Sequence, residues 1–377
     1  VQAGARINNY QPQDVIGSQL GYYFEPRLNI QYNILNNRNN KLFELLTINS
    51  GIGKTYKAPS LVYLYPDNAY YDLTVLDYYT GDPETQTSVF NTLIYNTENP
   101  DLKPYENLKK EIGLDFHVGP VSGNITAFSE DLRNGFDFIS RYVFIEGYRY
   151  DTTGIPAGVK PDISTLAVEN YDYIISYLYP VNNQQTIKSG IEFSLNFGKV
   201  KSIYTSFTID GAYLKTIRTY STSDYEYLPS SGAPKQFTEI GVYPGGEQRV
   251  SERFNTNLRL VTQIPQLRMI LSTTIQVVWF DKYYYPFYDE APIYIFDKDG
   301  TVTQFTEEMR TTLPYMKYVD SKNEFYYLTE IMPPLPLLNL RLSKEFEDKL
   351  QLSLFVNNFL NYRPMYQYIR SESYTRR

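Results

Sequence analysis

Cysteine is absent from this 377-residue chain, and histidine and tryptophan occur once each, as His117 and Trp279. Without cysteine there is no disulfide framework, zinc ribbon, iron–sulfur site or thiol nucleophile. A single histidine rules out a multi-histidine metal site and leaves little general-base chemistry. Charged residues are few, at 20%, and acidic ones outnumber basic ones by 42 to 35. That balance is wrong for neutralising phosphates, so nucleic acid is not an expected partner. No stretch reaches the ~18 consecutive apolar residues of a membrane helix. There is no P-loop, dinucleotide fingerprint or zinc motif. The chain reads as a non-enzyme, and no cofactor or metal is expected.

What it does have is tyrosine, 39 of them, which with 21 phenylalanines brings aromatics to 16%. Hydrophobic residues at 42% exclude a disordered chain. A mean hydropathy of −0.41 would ordinarily indicate a soluble protein. That inference is unsafe for a β-barrel, which hides its apolar residues at every second position.

Alternation of apolar and polar residues is the dominant pattern. Ile187, Ile191, Phe193, Leu195 and Phe197 oppose Lys188, Glu192, Ser194 and Asn196. Ile203, Phe207, Ile209 and Tyr213 oppose Ser202, Ser206, Thr208 and Asp210. The same holds for Leu108, Ile112, Leu114 and Phe116 against Lys109, Glu111, Asp115 and His117, and for Phe254, Leu258 and Leu260 against Arg253, Asn255 and Arg259. Two-faced strands follow. They are expected near 3–10, 20–35, 41–53, 106–118, 123–132, 186–198, 202–218, 248–262, 267–282, 334–346 and 350–360. Most reach the ~9–11 residues that cross a bilayer at a tilt.

The connections alternate in length. Short ones are expected at Asn36–Asn40, Gly119–Ser122, Lys199–Lys201, Gln263–Gln266 and Glu347–Lys349. Long ones fall at 54–105, 133–185, 219–247 and 283–333, with a smaller one at 11–19. Loops beyond ~12–15 residues are uncommon in compact domains. Tight turns at one end and long loops at the other are what an outer-membrane barrel requires. The fold class is therefore all-β, an antiparallel transmembrane β-barrel with short periplasmic turns and long extracellular loops.

If the apolar faces meet lipid, the lumen carries Arg27, Lys109, Glu111, Asp115, Glu192, Arg253 and Arg259, with Lys188, Asp210 and Arg268. A solvated face of a soluble sheet explains the alternation equally well, but not the loops. Trp279, Tyr283, Tyr284 and Tyr285 sit at a strand end and read as an interface girdle. Tyr63, Tyr65, Tyr70, Tyr71, Tyr78, Tyr79, Tyr148, Tyr150, Tyr173 and Tyr177 fall in long loops. They are candidates for ligand or partner contact, since tyrosine offers rigid amphipathic area. The competing reading is that the loops pack on one another around these rings.

Asp297-Lys298-Asp299-Gly300 starts like a calcium loop but lacks the closing glutamate, so a hairpin turn is expected there. His117, two residues before a tight turn, is expected in a structural hydrogen bond. Asp289-Glu290 has no identifiable partner.

Three segments resemble TonB-dependent outer-membrane receptors. Gly51-Ile52-Gly53-Lys54-Thr55-Tyr56-Lys57-Ala58-Pro59-Ser60 looks like a segment common in their barrels. Asn99-Pro100-Asp101-Leu102-Lys103-Pro104-Tyr105-Glu106, followed by Glu111-Ile112-Gly113, is similar to the signature that opens the next strand, with Tyr105 standing where glutamate often follows Lys-Pro. Phe355-Val356-Asn357-Asn358-Phe359-Leu360-Asn361-Tyr362-Arg363-Pro364 resembles the penultimate strand and the loop after it.

The resemblance implies a barrel of about 22 strands, an N-terminal plug inside it and a TonB box. Residues 1–377 then read as the C-terminal part of the barrel, about half of it. The plug and first strands are absent from that stretch, and the last strand is missing. Expected partners are outer-membrane lipid, the plug and remaining strands of the same receptor, TonB through its N-terminal region, and a surface lipoprotein on the loops. The expected function is TonB-energised uptake of a bulky nutrient across the outer membrane of a Gram-negative bacterium. The alternatives are a receptor-like barrel serving as a scaffold in an outer-membrane complex, a passive porin-like channel and, last, a soluble carbohydrate-binding β protein.

Overall fold

A computed structural model describes residues 1–12, 20–36, 43–227, 239–286, 291–313, 315–319, 327–346, 350–369 and 374–376. Eleven strands form one antiparallel sheet in which each pairs with the next along the wall. They are β1 (Gln2–Asn9), β2 (Tyr22–Asn36), β3 (Phe43–Lys57), β4 (Tyr105–Val118), β5 (Val121–Tyr150), β6 (Val168–Val200), β7 (Thr205–Tyr220), β8 (Gln248–Ile264), β9 (Met269–Tyr284), β10 (Leu335–Phe346) and β11 (Leu350–Val356). A short strand, Glu330–Met332, adds to β9 beyond the end of β10. The sheet is open, since β1 and β11 are not paired with each other.

These residues form strands because β-branched and aromatic side chains alternate with polar ones, so each strand has one apolar and one polar face while its edges pair with its neighbours. The turns at one end are tight. Gly119 adopts φ +57 between β4 and β5, a conformation that glycine takes without steric cost. Residues 201–204 join β6 to β7, and a 3₁₀ turn, Pro265–Leu267, closes onto a left-handed Arg268 between β8 and β9. The expected turns at Asn36–Asn40 and Glu347–Lys349 lie mostly or wholly outside the described residues, as does Asp289-Glu290.

One expectation needs correction. The stretch 133–185 is not a loop, because β5 and β6 run on as a hairpin of 30 and 33 residues that ends only at 151–167. A bulge around Gly135 shifts the register there, and the ladder then continues to Tyr150↔Val168.

The other long connections also carry strands. Ala69–Tyr78 and Thr87–Tyr95 pair as a hairpin between β3 and β4. Asp224–Tyr227 and Glu239–Tyr243, from the β7–β8 connection, join Tyr294–Asp297 and Val302–Gln304, from the β9–β10 connection, in one four-stranded sheet. Ile240, Val242, Tyr243, Ile295 and Tyr318 form its core, each under 7% exposed. The Asp297–Gly300 segment is the expected hairpin turn: Gly300 has φ +82 and its N–H donates to the Asp297 carbonyl at 2.9 Å.

Candidate inner wall and loop canopy

Residues directly opposite in an antiparallel ladder share a face, so the register sorts the wall into rows. Arg27, Gly53, Lys109, Glu130, Lys188, Thr216 and Ser251 make one row of the polar face. The next contains Asn29, Gly51, Glu111, Phe128, Gly190, Leu214, Arg253 and Asp281. Glu192, Asp115 and Arg259 fall in the following three rows of the same face. The seven residues read from the sequence as lumen residues thus lie on one side of the sheet. Polar contacts knit that side together: Ser194 donates to Asp210 at 2.6 Å, Thr47 to Asn33 at 2.9 Å, and the Asn49 amide to Asp115. At the turn end, His117 Nδ1 lies 3.1 Å from Glu44 Oε2.

The opposite face is apolar over several rows, such as Leu114–Ile125–Phe193 and Ile112–Ala127–Ile191–Tyr213–Phe254–Phe280. Its character changes abruptly in the row Lys110–Ser129–Ser189–Lys215–Glu252–Lys282. There Glu252, only 8% exposed, accepts from Tyr213 at 3.0 Å and lies 2.8 Å from Lys282 and 3.4 Å from Lys215. Trp279 sits at the bulge opposite Phe254 and Asn255 and donates its indole N–H to Thr256 on this apolar face at 2.9 Å. Tyr284 pairs with Val250 on the same side. Tyr283 faces the other side. It pairs with Ser251 in the polar row of Arg27, where it meets Tyr285 and hydrogen-bonds Tyr368. Tyr285 in turn lies over Arg249, which Tyr220 covers from 5.2 Å.

Of the ten loop tyrosines, several pack inward. Tyr63 lies on Phe136 and Phe138, Tyr71 donates to the Ser176 carbonyl, and Tyr177 stacks on Tyr95. Burial pushes the Tyr71 and Tyr95 hydroxyls above the usual tyrosine range. Tyr78 reaches the Pro156 carbonyl at 3.5 Å, and Tyr150 meets Tyr148 edge-on. The outward set is Tyr65, Tyr70, Tyr79 and Tyr148, all more than a third exposed. Tyr173 pairs by its backbone with Ile145 in the long hairpin. Tyr63 lies in a single helical turn, Leu61–Leu64, and Tyr148, Tyr150, Tyr173 and Tyr177 are on strands.

The segment Asn99–Glu106 acts as a latch. Asn99 donates to the Pro180 carbonyl at 2.7 Å, while Asn182 accepts from the Lys103 N–H at 2.7 Å and returns a bond to its carbonyl at 2.9 Å. These bonds tie the end of the β3–β4 connection to β6. At the tip of the long hairpin, Asp162 caps a 3₁₀ turn. The Ser164 hydroxyl and backbone N–H hold its carboxyl below the usual range.

Sequence reasoning missed the Glu252 cluster and a glycine-floored recess on the polar face. Gly51 and Gly53 signal the recess, because glycine at every second position of a strand marks close approach by something else. Among the described residues no group of acidic and histidine side chains is placed to hold a metal.

The chain is similar to known proteins. A family model described as "TonB dependent receptor-like, beta-barrel" matches residues 1–359. The siderophore receptor PirA from Acinetobacter baumannii is similar in structure, with a TM-score of 0.46 and 15% identity over 92% of this chain and 38% of that one. This chain thus spans well under half of that receptor's length. No curated protein matches the chain. Proteins of the matched family are outer-membrane transporters rather than enzymes, built with a plug domain and a TonB partner. With its model covering residues 1–359, the chain belongs to the TonB-dependent receptor-like β-barrel family.

Proposed function

We propose that this chain forms barrel wall and extracellular loops of an outer-membrane receptor for TonB-energised uptake of a bulky nutrient. The observation that carries the reading is the two-faced wall. On β8 the apolar side runs from Thr262, bonded to Thr205 at 2.9 Å, to the charged row at Glu252. Ten residues cover ~34 Å along a strand, or ~25 Å of height at the usual tilt, the thickness of a barrel's apolar band. In this reading the apolar side meets outer-membrane lipid, and Arg27, Lys109, Glu111, Asp115, Glu192, Arg253 and Arg259 line the lumen against the plug. TonB engages the receptor through its N-terminal region. The chain would be about half of a 22-stranded barrel, with the plug, the first strands and the last strand supplied outside residues 1–377.

The outward tyrosines support a contact surface for ligand or a surface lipoprotein. Tyr70, paired with Ile94, stands beside the Asp72–Thr92 and Thr74–Phe90 pairs on the exposed side of its hairpin. That hairpin favours, as a second reading, a scaffold role in an outer-membrane complex.

The test compares nutrient-limited growth of cells with and without the receptor, in backgrounds with and without TonB, alongside conductance of the purified receptor in planar bilayers. Uptake that needs both receptor and TonB, with no steady conductance, is the expected outcome. Uptake without TonB together with steady conductance would mean a porin. Loss of an outer-membrane complex with no uptake defect would mean a scaffold.

A further inference from the structure

We propose that the polar face between β1 and β4 holds an oxyanion site centred on Arg27, taking a carboxylate or phosphate group. A recess of about 420 Å³ opens there. Glycine makes its floor. Gly4 is opposite Arg27, Arg27 opposite Gly53 and Asn29 opposite Gly51, so side chains that would fill the wall are missing at alternate places. The charges around it are unequally satisfied. Lys109 is taken by Glu111 at 3.1 Å on the same face, while the Lys54–Glu106 pair at 3.0 Å lies on the other side of the sheet. Glu25 is buried and accepts the Tyr56 N–H at 2.7 Å. Arg6 and Arg27 remain, both exposed, and neither has a hydrogen bond or ion pair among the described residues.

A guanidinium presents a planar fork of donors that fits a carboxylate or phosphate with two parallel bonds. Arg27 is laid out for this: its Nε would lie 3.0 Å from a Cβ at Gly4, so the side chain rests over glycine instead of being crowded by a neighbour. Glu111 closes the opposite side, its carboxylate folded over Gly51 together with Asn29. It bounds the site and keeps the cationic part at β1–β2. The oxyanion can come from a free solute or from a carboxylate side chain elsewhere in the same receptor. Both use the same fork.

The test takes the full-length receptor in non-ionic detergent and titrates inorganic phosphate calorimetrically, with the unfolding midpoint measured in parallel. If the occupant is a free anion, the wild type binds phosphate and added salt weakens binding. Arg27→Ala and Gly53→Leu each weaken it at least tenfold, while Lys201→Ala in the β6–β7 turn leaves it unchanged. Gly53→Leu keeps every charge and fills only space, since a Cβ there makes ordinary contacts of 3.5 Å or more. If a tethered carboxylate occupies the recess, the wild type binds no phosphate, Arg27→Glu lowers the unfolding midpoint and Lys201→Glu does not. Phosphate binding undiminished by Arg27→Ala, or no binding together with an unfolding midpoint unmoved by Arg27→Glu, overturns the proposal. These readouts do not involve transport, so they separate this site from the uptake function.

Discussion

Tyr95 and Tyr177 stack at 5.3 Å between centroids with their planes 15° apart, and they join two hairpins that arise from different connections. Tyr95 lies at the end of the Ala69–Tyr95 hairpin, Tyr177 far along β6 beyond the wall. Tyr71 and Asn99 bond the same stretch of β6. The canopy is therefore packed side by side, with a tyrosine core between the hairpins.

Replacing Tyr177 by alanine should loosen that contact without disturbing the wall. An offset aromatic pair contributes about 0.5–1.5 kcal/mol beyond its buried area. Faster amide exchange in 69–95, with unchanged exchange in β7–β9, is the expected result. Uniform protection across both would show that the stack is incidental.

Glu252→Gln removes the anion that two lysines share on the apolar face. The expected loss is about 1 kcal/mol, because Lys215 and Lys282 are left facing each other at the edge of the apolar band, where both are partly hydrated. Lys282→Met should cost less, since Glu252 keeps Lys215 and Tyr213. Urea unfolding of the receptor in lipid vesicles ranks the two variants, and equal losses would contradict the shared-anion account.

Two wall glycines should respond differently to alanine. A Cβ at Gly190 would meet the Tyr213 carbonyl oxygen at 2.4 Å, whereas one at Gly211 would meet the Phe193 ring at 2.4 Å. Backbone cannot turn aside and a ring can. Gly190→Ala should therefore be the worse of the pair, with overpacking costs of about 1–3 kcal/mol. Unfolding midpoints of the two variants decide it.

Acid should loosen the tip of the long hairpin. The Asp162 carboxyl is held below its ordinary value by Ser164, so its contribution is present above the unfolded-state pKa. That contribution is lost as pH falls through the lower, folded-state value. Protease nicking at 151–167 should increase under such acidic conditions, and Asp162→Asn should reduce the pH dependence of nicking, leaving the part due to Asp151, which Thr153 holds low in the same way.

Much of the wall was legible because its signal is local. Alternation fixes which side of β6, β7 and β8 is apolar, and the register then brings Arg27 through Arg259 onto one face. The continuation of β5 and β6 was not legible, because the bulge at Gly135 resets the phase and both sides of the strands beyond it carry aromatics. The recess was hidden for another reason. Gly4, Arg27, Gly53 and Lys109 are distant in sequence and become neighbours only through register. Tyr283 and Tyr284 alternate across the strand, and the bulge at Trp279, which local alternation does not show, decides which of them shares the polar side.

The four-stranded sheet at the loop end has a consequence for how such receptors diversify. Its strand Glu239–Tyr243 pairs on one side within its own connection and on the other with Tyr294–Asp297 from the next. Tyr318 is buried beneath it, its hydroxyl donating to Glu239 while its carbonyl accepts from Tyr243 at 2.6 Å. Exchanging either connection alone would strip the other of a ladder and expose its core. In this part of the molecule, new binding surfaces would have to be inherited as a pair.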